Sequence, residues 1–265
     1  MRDTPLYLSS FVSLASAAAF ACLAGAAAAA AAPSPNPFDS DMPYSACLDE
    51  IENDADNAWE MARMWGDLGG GAEADHCAAL ALLELGHYGD AAERLEMVAR
   101  RNGAGSAAER AAIFNQSGNA WLLAGRPDKA QSAFSSALRL SPRDVASWTD
   151  RARARALKED WEGAESDLTS ALVFDQRKPE IYVLRASARS AQGKSEAAKS
   201  DIDTALLLDP DFPDALVDRG AMKLAQGDEN GARADWVRVL LVDPYSLAGD
   251  AARAHIEKLD VNPDL

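Results

Sequence analysis

A repeat of about 34 residues, found by aligning the sequence with itself, limits the possible folds of this chain more than any other feature. Four copies follow one another without insertion, beginning at Ala111, Val145, Pro179 and Pro213. Alanine stands at the twentieth position of every copy, and large apolar residues stand at the fourth and twenty-fourth. The large residues are Phe114, Trp148, Tyr182, Leu216 and Phe134, Leu168, Ile202, Trp236. Such a period predicts an array of similar units that stack on their neighbours.

Each copy is predicted to form two helices. It contains two apolar runs of about 12 to 14 residues with the i, i+3, i+4 spacing of an amphipathic helix. Gly125, Gly193 and Gly227 lie between the runs, where a tight turn requires a positive φ. Proline near the end of three copies stops the second helix. Small residues at the eighth position allow the helices to approach closely. These residues are Gly118, Ala152, Ala186 and Gly220.

This pattern resembles the tetratricopeptide repeat, and the likeness covers Ala111 to Ser246. A fifth, less regular copy is expected from Ala72 to Ser106, so that the array spans residues 72–246 with about five repeats. Residues 44–71 are expected to form a degenerate helix pair, and residues 247–265 a solvated capping helix and tail. The resemblance implies an all-α, right-handed α-solenoid.

Residues 1–32 have the layout of a secretory signal peptide. Arg2 precedes an apolar stretch from Leu6 to Leu23, and an alanine-rich run with several A-x-A sites ends at Ala32. Residues 33–43 are expected to be a disordered linker. The chain is therefore predicted to be exported to the bacterial periplasm. Two alternatives are an uncleaved inner-membrane anchor facing the periplasm and lipidation of Cys22, which is disfavoured because Ala19 stands where leucine is expected.

The formal net charge of −16 argues against nucleic acid or an anionic membrane surface as partner, since both would repel the chain. It suits a basic protein or peptide segment. His76, His87 and His255 are scattered over separate elements, and His76 is expected to face solvent. Neither a metal-ligand spacing nor a nucleophile beside a general base is evident. We therefore expect no metal, no cofactor, no small-molecule substrate and no enzymatic activity.

In the family that the chain resembles, the first helices line a concave groove. The family's groove-facing positions carry a mixed and mostly small lining in this sequence. These residues are Asn115, Asn119, Leu122, Thr149, Arg153, Glu180, Val183, Ser187, Asp214, Val217, Ala221 and Leu224. The resemblance implies a non-catalytic scaffold or adaptor that binds a client segment in this groove. The alternative is a structural subunit of an envelope complex that self-associates through its repeats.

One subclass of the family binds acidic C-terminal tails through a two-carboxylate clamp of lysine, asparagine and arginine. Counted from Ala111, only Asn119 matches the clamp, and Asp150 and Glu180 stand where asparagine and lysine are required. Binding of acidic EEVD-type tails is therefore not expected.

Removal of the signal peptide would leave two cysteines, Cys47 and Cys77, in an oxidising compartment. Both are expected early in the first helices of neighbouring pairs, which run side by side. A structural disulfide is therefore predicted, which would fasten the degenerate pair to the array.

Two charged positions change together among the copies. Three copies carry arginine at the seventh position and aspartate at the twenty-third, whereas the copy from Ala111 carries Ser117 and Ala133 there. Because the two positions are expected to face each other within a helix pair, three structural ion pairs are predicted. They are Arg151–Asp167, Arg185–Asp201 and Arg219–Asp235.

Overall fold

The computed structural model describes residues 44–101 and 105–261. The predicted signal peptide (1–32) and linker (33–43) lie outside the described residues. Thirteen α-helices and no strand occur within the described ranges. They are α1 (Tyr44–Asn53), α2 (Ala55–Asp67), α3 (Gly71–Glu84), α4 (Tyr88–Arg100), α5 (Ala107–Leu123), α6 (Pro127–Leu140), α7 (Val145–Ala156), α8 (Trp161–Phe174), α9 (Pro179–Ala191), α10 (Ser195–Leu208), α11 (Pro213–Ala225), α12 (Glu229–Val242) and α13 (Leu247–Val261).

The described residues form two compact units that divide within α7, between Ala154 and Arg155. The first unit contains α1–α6 and most of α7, and the second contains the end of α7 and α8–α13. From α1 to α6 and from α8 to α13, helices that are adjacent in sequence pack on each other. This division was not predicted from the sequence, because the repeat continues through it without an insertion.

The turns inside the helix pairs show why the predicted glycines are needed. Gly86, Gly125, Gly193 and Gly227 follow the first helices of four pairs with φ between +67° and +82°, a region that residues with a Cβ rarely adopt. The copy from Val145 has no glycine at this place. Glu159 occupies it with φ of +60°, and it is the one described residue other than glycine with a positive φ.

The close approach of the two helices in a pair depends on matched residue sizes. A Cβ built on Gly118 would lie 2.4 Å from the ring of Phe134, and one on Gly220 would lie 2.4 Å from the indole nitrogen of Trp236. The copy from Pro179 has alanine at the eighth position and the smaller Ile202 at the twenty-fourth. The eighth and twenty-fourth positions therefore share one fixed volume, which was not recognised from the sequence.

The last helix closes the core of the second unit. Ala248, Ala252 and Leu259 of α13 are buried in the same apolar cluster as Trp236 of α12. The imidazole of His255 stacks on the Trp236 ring with their centroids 4.6 Å apart. The exposed residues of α13 include the charged Asp250, Glu257, Lys258 and Asp260, as expected of a helix that ends a repeat array, together with Leu247 and Val261 at its two ends.

Candidate functional site

In the first unit, the predicted groove residues form a polar network between α5 and α7. The amide nitrogen of Asn115 lies 3.1 Å from a carboxylate oxygen of Asp150 and 3.1 Å from the hydroxyl of Ser147. Asn119 donates to the side-chain oxygen of Asn115 at 3.0 Å. The two asparagines are therefore held by their neighbours and keep only part of their hydrogen-bonding capacity for a partner.

Arg153 completes this network from the next turn of α7. Its guanidinium pairs with Asp150, and the two side chains are only 11% and 9% exposed. The Nε atom of Arg153 is buried and has no hydrogen-bond partner in the described part of the chain. Asp150 thus accepts from Asn115 and Arg153, and Arg153 acts mainly as its counter-ion.

Three of the predicted groove residues are not accessible. Val183 is 1% exposed and belongs to the apolar core of the second unit, while Thr149 and Ser187 are 6% and 5% exposed. The hydroxyls of Thr149 and Ser187 each donate to a backbone carbonyl one turn earlier in their own helix. The prediction that these three residues line a groove is wrong, because the helix faces that carry them are turned towards the protein interior.

Several of the remaining predicted residues contribute apolar packing. Leu122 packs against the core of the first unit, and Val217 and Leu224 pack against that of the second. All three are partly buried. Glu180, Asp214 and Ala221 are also partly accessible. Among these partly accessible residues of the second unit, only Glu180 and Asp214 can form a charged interaction with a partner.

Asp214 and Asp218 stand one turn apart on α11, and both have a raised pKa. Burial raises the pKa of Asp218 to about 7, and the neighbouring charge of Asp214 adds to the effect. Burial also raises the pKa of Asp214, against a hydrogen bond from its own backbone N–H and together with the charge of Asp243. No described cationic side chain pairs with either carboxylate. On the described first helices, no other pair of neighbouring carboxylates has both pKa values raised.

His76 was not recognised as part of a network from the sequence, and the expectation that it faces solvent is wrong. Its Nδ1 hydrogen-bonds with the hydroxyl of Tyr44, and its Nε2 lies 2.8 Å from the amide oxygen of Gln116. Burial lowers the pKa of His76, although the bond to Gln116 opposes the shift. The three residues come from α1, α3 and α5, so their contact joins three first helices of the first unit.

The charged residues at the seventh and twenty-third positions meet within the second unit. Arg185 pairs with Asp201, and Arg219 pairs with Asp235, each with a shortest distance of 2.7 Å. The remaining predicted pair, Arg151–Asp167, would join the two units and stays a prediction.

A further cation, which was missed in the sequence, contacts each of these aspartates. Arg155, Arg189 and Lys223 approach Asp167, Asp201 and Asp235 to 3.1, 2.8 and 2.8 Å respectively. All three cations occupy the eleventh position, and the copy from Ala111 has Trp121 there. The recurrence of a cation at the eleventh position of three copies was therefore enough to predict these contacts. The aspartates are buried, so the groups hold helices together and are not available to a partner.

Cys47 and Cys77 are placed at disulfide distance. Their Cα atoms lie 6.3 Å apart, they are separated by 30 residues, and both side chains are fully buried. They belong to α1 and α3 and pack with Ile51, Ala58 and Ala62 in one cluster. The pair links the N-terminal helix α1 to α3, the first helix of the next helix pair.

Two further properties of the described residues bear on function. None of the described helices combines the length and the apolar character needed to cross a membrane. Within residues 44–101 and 105–261, no group of three or more histidine, cysteine or acidic side chains is arranged to hold a metal ion.

No protein-family model matches the chain, and no curated protein matches it in sequence. Solved structures match its fold. The protein YrrB, described as a TPR protein with an unusual peptide-binding site, superposes with a TM-score of 0.56 at 18% identity, over 68% of this chain and 92% of YrrB. MamA from Desulfovibrio magneticus RS-1 gives a TM-score of 0.56 at 18% identity, over 65% of this chain and 94% of MamA.

A further MamA structure superposes with a TM-score of 0.53 at 13% identity, over 68% of this chain and 96% of that one. The predicted fold class, an all-α array of tetratricopeptide-type helix pairs, is thereby confirmed.

Proposed function

We propose that this chain is a non-catalytic scaffold or adaptor of the bacterial periplasm that binds a basic segment of a client protein on its first helices. The fold supports binding over catalysis, because helical repeats of this kind offer long surfaces built from equivalent positions. The peptide-binding site named for YrrB supports a peptide as the ligand.

The observation that carries the proposal is the acidic pair on α11. Asp214 and Asp218 are both partly shielded from water, and neither has a cationic partner among the described residues. A lysine or arginine of a client would supply the missing counter-charge, and charge-assisted hydrogen bonds to a partly buried carboxylate are stronger than those at an open surface. The net charge of −16 would in addition attract a basic segment from a distance.

The experiment is a binding titration of the chain from residue 33 onward with an extended lysine- and arginine-rich peptide, followed by fluorescence anisotropy. The charge-reversed peptide with glutamate serves as the negative control. We expect the double variant Asp214→Asn/Asp218→Asn to lose about tenfold in affinity, which corresponds to about 1.4 kcal/mol.

A matched variant changes the charge equally at another place. Glu162 and Glu196 are exposed near the starts of the second helices α8 and α10, and Glu162→Gln/Glu196→Gln should bind the peptide as the unchanged chain does. Equal losses in both double variants would show that only the overall charge attracts the peptide, and the proposed site would be wrong.

Export is tested separately from binding. We expect the mature chain recovered from a periplasmic extract to begin at or just after the alanine-rich run, as read by intact mass. A full-length chain that stays with the inner membrane would favour the anchored alternative, and a full-length chain in the cytoplasm would contradict the proposed location.

A further inference from the structure

Three large aliphatic side chains stand in solvent at one repeat position of the second unit. Val173, Leu207 and Leu241 are 70%, 82% and 80% exposed. They occupy the same position in three successive copies, and each is the penultimate residue of its second helix, in α8, α10 and α12. Because these helices repeat one geometry, the three side chains fall on the same side of the unit. We call them the aliphatic row.

Folding does not require apolar residues at this position. The copy from Ala111 carries Arg139 there, exposed at the end of α6. The residues that follow the row, Phe174, Leu208 and Val242, are still 40% to 47% exposed and widen the apolar surface. Contiguous apolar surface of this kind on a soluble protein marks an interaction site.

We propose that the aliphatic row is the contact by which a second copy of this chain pairs with the first, about a two-fold axis that passes close to Leu207. The row is symmetrical in sequence, with one aliphatic residue on each side of Leu207. With the axis perpendicular to the row, an isologous contact places the patch against itself in reverse order. Val173 of one copy then meets Leu241 of the other, and the two Leu207 side chains meet at the axis.

The charges beside the row fit this arrangement. Near the axis, α10 exposes the ion pair of Lys199 and Asp203, whose charged atoms lie 2.9 Å apart within each copy; Glu196 is also exposed, at the start of the same helix. The ion pair carries no net charge, so its approach to the same pair of the other copy across the axis is not opposed by charge repulsion. At the outer ends the charges differ, because α8 contains no basic residue, whereas α12 carries Arg233 and Arg238. Reverse-order pairing sets α12 against α8, whose exposed charge is the acidic Glu162, while Arg233 and Arg238 keep Asp260 and Asp211 as partners within each copy.

The rest of the surface disfavours contact between copies elsewhere. A chain with a net charge of −16 repels its own copies at most orientations. The row is apolar, and the nearest charges on α10 and α12 already have partners of opposite sign, namely Asp203 for Lys199 and Asp211 for Arg238. The charges nearest the row therefore add no unpaired charge to a contact between copies.

The test is sedimentation equilibrium of the mature chain over a wide concentration range. We expect a reversible monomer–dimer equilibrium that Leu207→Arg abolishes, because the variant places two arginines at the axis. Leu207→Arg should fold normally, as Arg139 does in its own copy, and circular dichroism checks this. The matched control is Met97→Arg, since Met97 is 62% exposed on α4 in the first unit and lies outside the row; its dimerisation should be unchanged.

Cysteine cross-linking tests the symmetry. With a short bis-maleimide, Leu207→Cys should cross-link to itself. Val173→Cys and Leu241→Cys should each cross-link poorly alone and well when mixed. A chain that stays monomeric at all concentrations, a dimer that survives Leu207→Arg, or a row occupied only by a different protein would overturn the proposal. Peptide binding on α11 is a separate measurement, so failure of either proposal leaves the other standing.

Discussion

Arg185 and Asp201 form a bidentate ion pair between the two helices of one repeat. The Nε of Arg185 donates to Oδ2 of Asp201 at 3.0 Å and its Nη2 donates to Oδ1 at 2.7 Å. The side chains are 14% and 4% exposed. Arg189 donates to the same carboxylate at 2.8 Å. Asp201 thus contacts two arginines, of which Arg189 also pairs with Glu165 at 2.8 Å, so Asp201 is chiefly the counter-ion of Arg185.

Removal of Asp201 alone should therefore destabilise the chain strongly. We expect Asp201→Ala to cost about 3–5 kcal/mol, because it leaves Arg185 without a carboxylate partner in a poorly solvated place, while Arg189 keeps Glu165. Arg185→Met should cost less, since Asp201 keeps Arg189, and the double variant should be more stable than Asp201→Ala. Urea unfolding of the four proteins gives the coupling. The exposed pair Lys199–Asp203 on the same helix should show no coupling beyond error. Equal coupling energies for the pairs Arg185–Asp201 and Lys199–Asp203 would contradict a structural role for the buried pair.

Glu159→Gly should stabilise the chain. Glu159 has a φ of +60° and an exposed side chain, and the left-handed region costs a residue with a Cβ about 1–2 kcal/mol. Glycine gains flexibility in the unfolded chain, which offsets part of this, so we expect a gain of up to about 1 kcal/mol. The neighbouring Lys158→Gly lacks the positive φ and should not stabilise. Thermal unfolding of both variants decides the matter, and a loss of stability in Glu159→Gly would contradict the assignment of strain.

Gly220→Ala should destabilise the second unit, contrary to the usual effect of alanine in a helix. The added Cβ would lie 2.4 Å from the fully buried Trp236, whose indole nitrogen donates to the carbonyl of Val217 at 3.2 Å. We expect a cost of about 1–3 kcal/mol from overpacking. Gly89→Ala on α4 is the control, because its Cβ would lie 3.8 Å from Trp121, an ordinary contact. If the two substitutions shift the unfolding midpoint alike, the close packing at Gly220 is wrong.

Asp218 should make stability decline as pH rises from about 4 to 7. Its folded pKa, about 7, lies above the ordinary value of 3.8, so in this window the folded chain holds a proton that the unfolded chain has lost. Deprotonation is therefore penalised only in the folded state, and stability falls through the folded pKa. Asp218→Asn should remove this contribution.

The difference between the two pH profiles, obtained by urea unfolding, is the test for Asp218. His76 contributes with the opposite sign: burial lowers its pKa, so its protonation favours the unfolded chain as pH falls below about 6.5. The contribution of His76 cancels when Asp218→Asn is compared with the unchanged chain. Parallel profiles for the two proteins would show that Asp218 is not shielded as described.

The cysteine pair should be oxidised in the exported chain. We expect no reactive thiol from Cys47 or Cys77 in the denatured, unreduced protein, and two after reduction. Closure of a loop of 30 residues contributes roughly 3 to 4 kcal/mol in the chain-entropy model. The double variant Cys47→Ala/Cys77→Ala should accordingly lower the stability of the first unit. Substitutions in α8–α13 should change the stability by the same amount with and without the two cysteines. Two reactive thiols before reduction would contradict the pairing.

The predictions from the sequence were most successful where the four repeat copies could be compared with one another at the same position. The regular repeat period predicted the helix pairs, and the joint change of two positions singled out Arg185 with Asp201. The eleventh position carried an equally strong signal in Arg189 and Lys223, which was overlooked because the seventh and twenty-third positions already formed a complete pair.

Predictions failed where they relied on an average of many proteins or on contacts between distant helices. Val183 was assigned to a groove from a family position, yet its helix turns that position inward in this chain. His76 lies 32 residues from Tyr44 and 40 residues from Gln116 in the sequence. No local sequence pattern predicts contacts between residues so far apart.

The matched sizes at the eighth and twenty-fourth positions bear on how such a chain can change by recombination between its own copies. A crossover in the turn between the two helices, joining the copies from Pro179 and Pro213, would set Ala186 against Trp236 and Gly220 against Ile202. The first product is overpacked and the second contains a void. A crossover at the prolines between pairs keeps both partners together. Whole helix pairs are therefore the units that can be duplicated, lost or exchanged without loss of packing.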